Sequence, residues 1–174
     1  VSGYNQYNQE ILDEKSQLYK FSPDITFLII DSRNVFGELF LNPYSISVEE
    51  RKRFIQNKSD EIINLAKTLV KKSKSKLILS NFSIPSYSPI GINETREEFG
   101  LHDMVGNLNQ NIKIGLRLEP EIFIYDLNSF VTKFGENNVF DYKQFFYGDI
   151  RISLDYIPYL AQELIGYVTA VLGL

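Results

Sequence analysis

The sequence predicts an α/β protein with a doubly wound, mostly parallel sheet between two helical layers, and three observations lead there. Pro23-Asp24 opens the run Ile25-Thr26-Phe27-Leu28-Ile29-Ile30, six mostly β-branched or large residues without alternation. That is the pattern of a strand buried on both faces. Two more short apolar runs follow, at 76–82 and 122–125. Stretches of helical periodicity separate the three, and strands alternating with helices mean parallel βαβ units.

In chain order, Val1-Ser2-Gly3-Tyr4 reads as the last residues of a strand with Gly3 at its turn. Tyr4 to Leu12 is rich in Asn and Gln and predicts a short helix or ordered loop. Ser16 to Phe21 is a further helical turn before the Ser22-Pro23 break. The strand over Ile25 to Ile30 ends abruptly in Asp31-Ser32-Arg33-Asn34, and an apolar, aromatic crossover with Gly37 and Pro43 is expected to be irregular from Val35 to Tyr44. Ser47 opens the clearest helix, because Ser47 and Glu50 are spaced as a capping box. Val48, Phe54, Ile55, Ile62, Ala66, Leu69 and Val70 then recur at helical spacing. Glu49 and Glu50 at its start and Lys71 and Lys72 at its end suit the helix dipole.

The second strand spans Lys76 to Phe82, and a long loop holds Ser83 to Glu94. Thr95 to Leu118 contains a helix whose apolar face is Met104, Val105, Leu108, Ile112 and Leu116. A third strand, Ile122 to Tyr125, ends at Asp126. Ser129 to Phe134 is a short helix stopped by Gly135, Asn137 to Arg151 an aromatic loop, and Ser153 to Leu172 a closing helix.

With 174 residues the chain fits a single domain over 1–174, large enough for a sizeable core. Opening on Val1 rather than Met and closing on an apolar helical pattern predicts an excised N-terminal part of a longer protein. The net charge of −4 and the lack of a basic stripe argue against nucleic acid as a partner. With no Cys, disulfides, thiolate catalysis and Cys-zinc sites are excluded, and one His leaves no two-His metal site. No apolar run reaches membrane-spanning length and no signal segment opens the chain, so no membrane contact is expected, and the absence of Cys fits a cytoplasmic location.

In an open α/β sheet, ligands bind beyond the carboxyl ends of the strands. The candidate binding rim is therefore Asp31, Ser32, Arg33, Asn34, Asn81 and Asp126, with no catalytic residue and no metal ligand assigned. Asp31 and Asp126 have the chemistry to hold a hard cation such as Mg²⁺. The plainer reading, preferred here, is that Asp126 caps the next helix and Asp31 bonds loop amides. Arg33 and Arg151 have the chemistry for a phosphate or carboxylate, though lone arginines more often pair with local acids. His102 beside Asp103 suggests a base, but sequence neighbours point to different helix faces, which favours a surface helical His. The aromatic residues of Phe140 to Tyr147 can face a sugar or partner, and more often such residues pack their loop down.

Two hydrolytic motifs are testable on these residues. A haloacid dehalogenase strand ends in Asp-x-Asp-x-Thr. Here Arg33 stands for the second acid and Val35 for the Thr, and Arg cannot protonate a leaving group. In SGNH hydrolases a Pro-Asp, a buried strand and Gly-x-Asn-Asp form the third block. Pro23-Asp24 and Ile25 to Ile30 match its lead-in, but Arg33 takes the place of the oxyanion-binding Asn. Gly3 stands for the second-block glycine. The last block, Asp-x-x-His, falls on Asp149-Ile150-Arg151-Ile152, with Ile152 where the His belongs. The chain thus resembles an SGNH-hydrolase or flavodoxin-like fold without the machinery.

Tyr4-Asn5-Gln6-Tyr7-Asn8-Gln9-Glu10-Ile11-Leu12, Ser16-x-Leu18-Tyr19 and Phe21-Ser22-Pro23-Asp24 are similar to the N-terminal region of FkbH-like proteins. The likeness continues through Asn81-Phe82-x-x-Pro85, Gly91, Leu108-Asn109, Asp126, Asp141 and Val171-Leu172-Gly173. Those proteins are haloacid-dehalogenase-superfamily members with an SGNH-like front domain. The resemblance implies a downstream catalytic domain as partner and an acyl carrier protein as a possible second one. It implies no cofactor in this chain, with Mg²⁺ expected only in the downstream domain. The activities it implies are glyceryl transfer to the carrier, or phosphatase or transferase work in a surface-polysaccharide pathway.

The expected function is therefore a non-catalytic substrate- or carrier-docking domain. The alternative is an SGNH-type esterase whose nucleophile lies upstream of Val1.

Overall fold

The structure, a computed structural model, describes residues 6–148 and 151–174, with backbone alone for 146–148. The expected strand end at Val1 to Tyr4, including Gly3, and the Asp149-Ile150 pair lie outside the described residues. The chain divides into two compact units, Val1–Tyr125 and Asp126–Leu174.

The first unit opens with two short helices, α1 (Tyr7–Leu12) and α2 (Gln17–Phe21), then β1 (Ile25–Leu28), α3 (Ser32–Phe36) and two single 3₁₀ turns. Helix α4 (Val48–Lys72), β2 (Lys76–Ser80), a third 3₁₀ segment (Gly91–Arg96) at the end of the expected loop, α5 (Leu101–Leu116) and β3 (Ile122–Tyr125) follow. The capping box predicted for α4 is formed: the Ser47 amide donates to the Glu50 carboxylate at 2.8 Å, and the Glu50 amide donates to Ser47 Oγ at 3.3 Å.

The described sheet has three strands in the order β1-β2-β3, both pairings parallel, and one register row is Phe27–Ile78–Phe123. The α/β class and the three parallel neighbours are as expected. Because the order of the described strands does not reverse, two right-handed crossovers place α4 and α5 on the same face. The packing agrees. Leu28, Ile30, Leu77, Leu79 and Ile122 form one buried cluster with Ile55, Ile62 and Leu69 of α4 and Met104, Leu108 and Ile112 of α5.

The next residues along β1 turn the other way. Phe27 and Ile29 are 38% and 44% exposed, so the run 25–30 is not buried on both faces. Ile78, beside Phe27 on β2, is by contrast 1% exposed, and an apolar run by itself does not distinguish the two cases.

The second unit holds α6 (Leu127–Phe134), α7 (Glu136–Val139), α8 (Tyr142–Gly148) and α9 (Ile157–Leu172). The stretch 137–151 is therefore largely helical rather than an aromatic loop. Gly135, at φ 86°, ends α6 and lets the chain restart at once. The closing helix begins at Ile157 rather than Ser153, with Pro158 in its first turn. Phe134 packs on Phe130, Tyr156 and Tyr159 with ring centroids 5.0–5.5 Å apart. Phe140 and Phe145 are buried, so those two aromatics pack inward. Among the described residues no helix is long and apolar enough to cross a membrane.

Candidate binding rim at the strand ends

Five of the six predicted rim residues follow β1 or β2 directly. Asp31 is the N-cap of α3 and accepts from the Arg33 amide at 2.8 Å. Ser32 is buried, whereas Arg33 and Asn34 are exposed beside it. Asn81 extends the sheet, its amide donating to the Tyr125 carbonyl at 3.0 Å. The sixth, Asp126, opens the second unit and caps α6, accepting from the Ser129 amide at 3.0 Å and from Ser129 Oγ at 2.6 Å. For both aspartates the capping role is the one observed. Among the described residues no three His, Asp or Glu side chains cluster as a cation site.

His102 does not pair with Asp103, whose carboxylate accepts instead from the Gly100 amide at 3.3 Å. The His102 ring lies 3.3 Å from the Tyr87 carbonyl. In the second unit, the Arg151 guanidinium lies 4.1 Å over the Phe140 ring, and Ile152 bridges antiparallel to Phe140.

Sequence reasoning missed a buried polar network that anchors both long loops leaving this edge. Glu94, 8% exposed, accepts from Tyr44 Oη, from Ser88 Oγ at 2.5 Å and from the His102 amide at 2.9 Å. Burial pushes the Glu94 carboxyl up, but the three hydrogen bonds together outweigh it and hold the group below the usual carboxylate range. Burial first, and then the bond to Glu94, push the Tyr44 hydroxyl up.

Gly100 is required by close approach, because a Cβ there would run into the Glu94 carboxylate. Beside it, Arg51 is 2% exposed. Its guanidinium donates to Glu97 at 2.6 Å and to the Glu98 carbonyl at 2.9 Å, and it lies 5.1 Å over the Tyr44 ring. A signal for it does exist in the sequence. Val48, Arg51, Ile55, Ser59, Ile62, Ala66 and Leu69 step by three and four, so Arg51 and Ser59 occupy core positions of α4. A charge on an apolar stripe must find a partner.

A second anchor is Asn109 on α5. Its Nδ2 donates to the Phe82 carbonyl at 2.7 Å and its Oδ1 accepts from the Phe82 amide at 2.9 Å. Both backbone groups lost when β2 ends are thereby satisfied. Replacing Asn109 by Ala is expected to cost about 2 kcal/mol, the range for stranding a partly buried amide and carbonyl. Equilibrium urea unfolding, with m unchanged, measures it.

Pinned as they are, the loops leave some polar groups unspent. Ser80, fully buried at the end of β2, and Ser83, 5% exposed, have hydroxyls without a hydrogen-bond partner among the described residues.

Parallel strands joined by helical crossovers define the class, an α/β domain. The chain belongs to the family of FkbH N-terminal domains, whose model matches residues 2–169. It is also similar to the crystal structure of the N-terminal part of the protein BF1531 from Bacteroides fragilis, which contains a phosphatase domain complexed with Mg. The TM-score is 0.81 at 22% identity, over 99% of this chain and 44% of that one. At that identity the likeness is one of fold, and the chain spans less than half of the solved protein. No curated protein matches the sequence.

Proposed function

We propose that this chain is a non-catalytic docking domain that presents a substrate or an acyl carrier protein to a phosphatase- or transferase-type domain of the haloacid dehalogenase superfamily in the same polypeptide. The solved neighbour, whose longer chain contains a phosphatase domain, supports that context. The observation that carries the docking role is the set of polar residues at the carboxyl ends of two neighbouring parallel strands, Asp31, Arg33 and Asn34 after β1 and Asn81 after β2. Exposed Arg33 adds a fixed positive charge suited to phosphate or carboxylate. The network around Glu94 and Arg51 holds the surrounding loops in one arrangement, which is what a presenting surface requires.

Arg33→Ala and Asn81→Ala in the full-length protein test the reading. Expected is at least a tenfold loss of turnover on the carrier-linked substrate. Turnover of a small activated phosphate ester should be unchanged. Unchanged carrier-dependent turnover in both variants would reduce the rim to a remnant.

A further inference from the structure

A small polar pocket lies apart from the buried network, where α1, α3 and α4 meet. Its volume is about 160 Å³, and its walls are Tyr7, Asn8, Asn34, Lys58 and Glu61 over a floor of Val35 and Ile62. We propose that this pocket binds a small neutral polyhydroxylated compound.

Charge is the first argument. Lys58 and Glu61 are paired at 2.8 Å, so the wall carries no net charge. An anion entering meets the Glu61 carboxylate and a cation meets the Lys58 ammonium. Hydrogen bonding is the second. Asn8 Oδ1 is buried without a partner among the described residues and therefore requires a donor. Tyr7, the two asparagines and Lys58 supply donors around it, while Glu61 and the asparagine carbonyls accept. A hydroxyl is at once donor and acceptor, so a molecule with several of them satisfies this mixture without bringing charge. Val35 and Ile62 offer the C–H side of such a molecule an apolar contact.

Size is the third argument. The space equals roughly five waters at about 30 Å³ each, below the range for drug-sized ligands. A tetritol or pentitol matches that size. Tyr7 agrees with this picture. Burial first, and then the Glu61 charge, raise its hydroxyl above the usual phenol range, so it stays protonated and able to donate.

Asn34 is shared with the candidate rim, so the two claims are kept apart by their variants: Asn8→Ala and Tyr7→Phe act on this pocket alone, Arg33→Ala and Asn81→Ala on the docking edge alone. Saturation-transfer NMR on the full-length protein with erythritol is the test, with inorganic phosphate and acetate as comparisons. Expected is a saturable erythritol signal, reduced at least fivefold in Asn8→Ala and in Tyr7→Phe, with phosphate and acetate giving none. Asn34→Ala, at an exposed position, gives the same reduction without any risk to folding. An erythritol signal that is absent, that survives in all three variants, or that phosphate displaces would overturn the proposal.

Discussion

Arg51→Ala is expected to destabilise the protein by about 3–5 kcal/mol, the largest effect of any single polar substitution here. Removing one member of a buried pair leaves the other unpaired and costs that much in general. The loss here is threefold. Glu97 is stripped of its partner at 2.6 Å, the Glu98 carbonyl loses its donor, and the Tyr44 ring loses the cation stacked on it. Glu97 is about one-third exposed, so water recovers part of its share, which favours the lower end of the range. Arg51→Lys should restore little, since one ammonium cannot span Glu97 and the Glu98 carbonyl while lying flat on a ring. Thermal and urea unfolding of the two variants measure this. A loss under 1 kcal/mol for Arg51→Ala would mean that the network around it carries no stability.

Glu94→Gln should cost about 2–3 kcal/mol at neutral pH, as expected for a charged acceptor holding three donors in a buried place. The pH dependence is the sharper part of this expectation. The folded protein holds the Glu94 carboxyl below its ordinary value of 4.5. The unfolded chain therefore takes up that proton first as the pH falls. Stability from this group is fully present above the unfolded value and is lost as pH drops through the folded one. The gap between wild type and Glu94→Gln should thus be widest near neutrality and narrow in acid below about pH 4.5. Urea midpoints from pH 7 down to pH 3 read it directly. A gap that stays constant with pH would show that the charge on Glu94 is not what holds the loops.

Both residues show where the sequence was legible and where it was not. The three strands were readable because each is a compact apolar run closed by a polar residue, and β3 at Ile122–Tyr125 has the bounds the pattern predicts. The start of α4 was readable because a capping box is local chemistry between Ser47 and Glu50. What stayed hidden depends on partners far apart in the chain. Glu94 looks like one more loop acid until Tyr44, fifty residues earlier, is placed against it. Phe27 and Phe36 look equally apolar in the sequence, yet one is 38% exposed and the other 2%, packed on Phe54 of α4 with ring centroids 5.8 Å apart.

The same limit applies to the site. Asp31 and Asn81 were recognisable from the ends of their strands. The pocket against Asn8 joins residues from 7 to 62, and no spacing rule connects them. Helices α7 and α8 were missed for a related reason, since four- and seven-residue helices have too little periodicity to stand out.

The uninterrupted strand order has a consequence for how the first unit is made. Each new strand adds beside the one synthesised just before it, so the sheet grows outward in the direction in which the ribosome delivers the chain. Phe27 waits for Ile78 and Ile78 waits for Phe123, two steps of similar length, each carrying one long helix, α4 and then α5, ahead of its strand. Among the described strands, none that comes later lies between two earlier ones. Assembly can therefore follow translation, with α4 covering the first pair before α5 has left the ribosome.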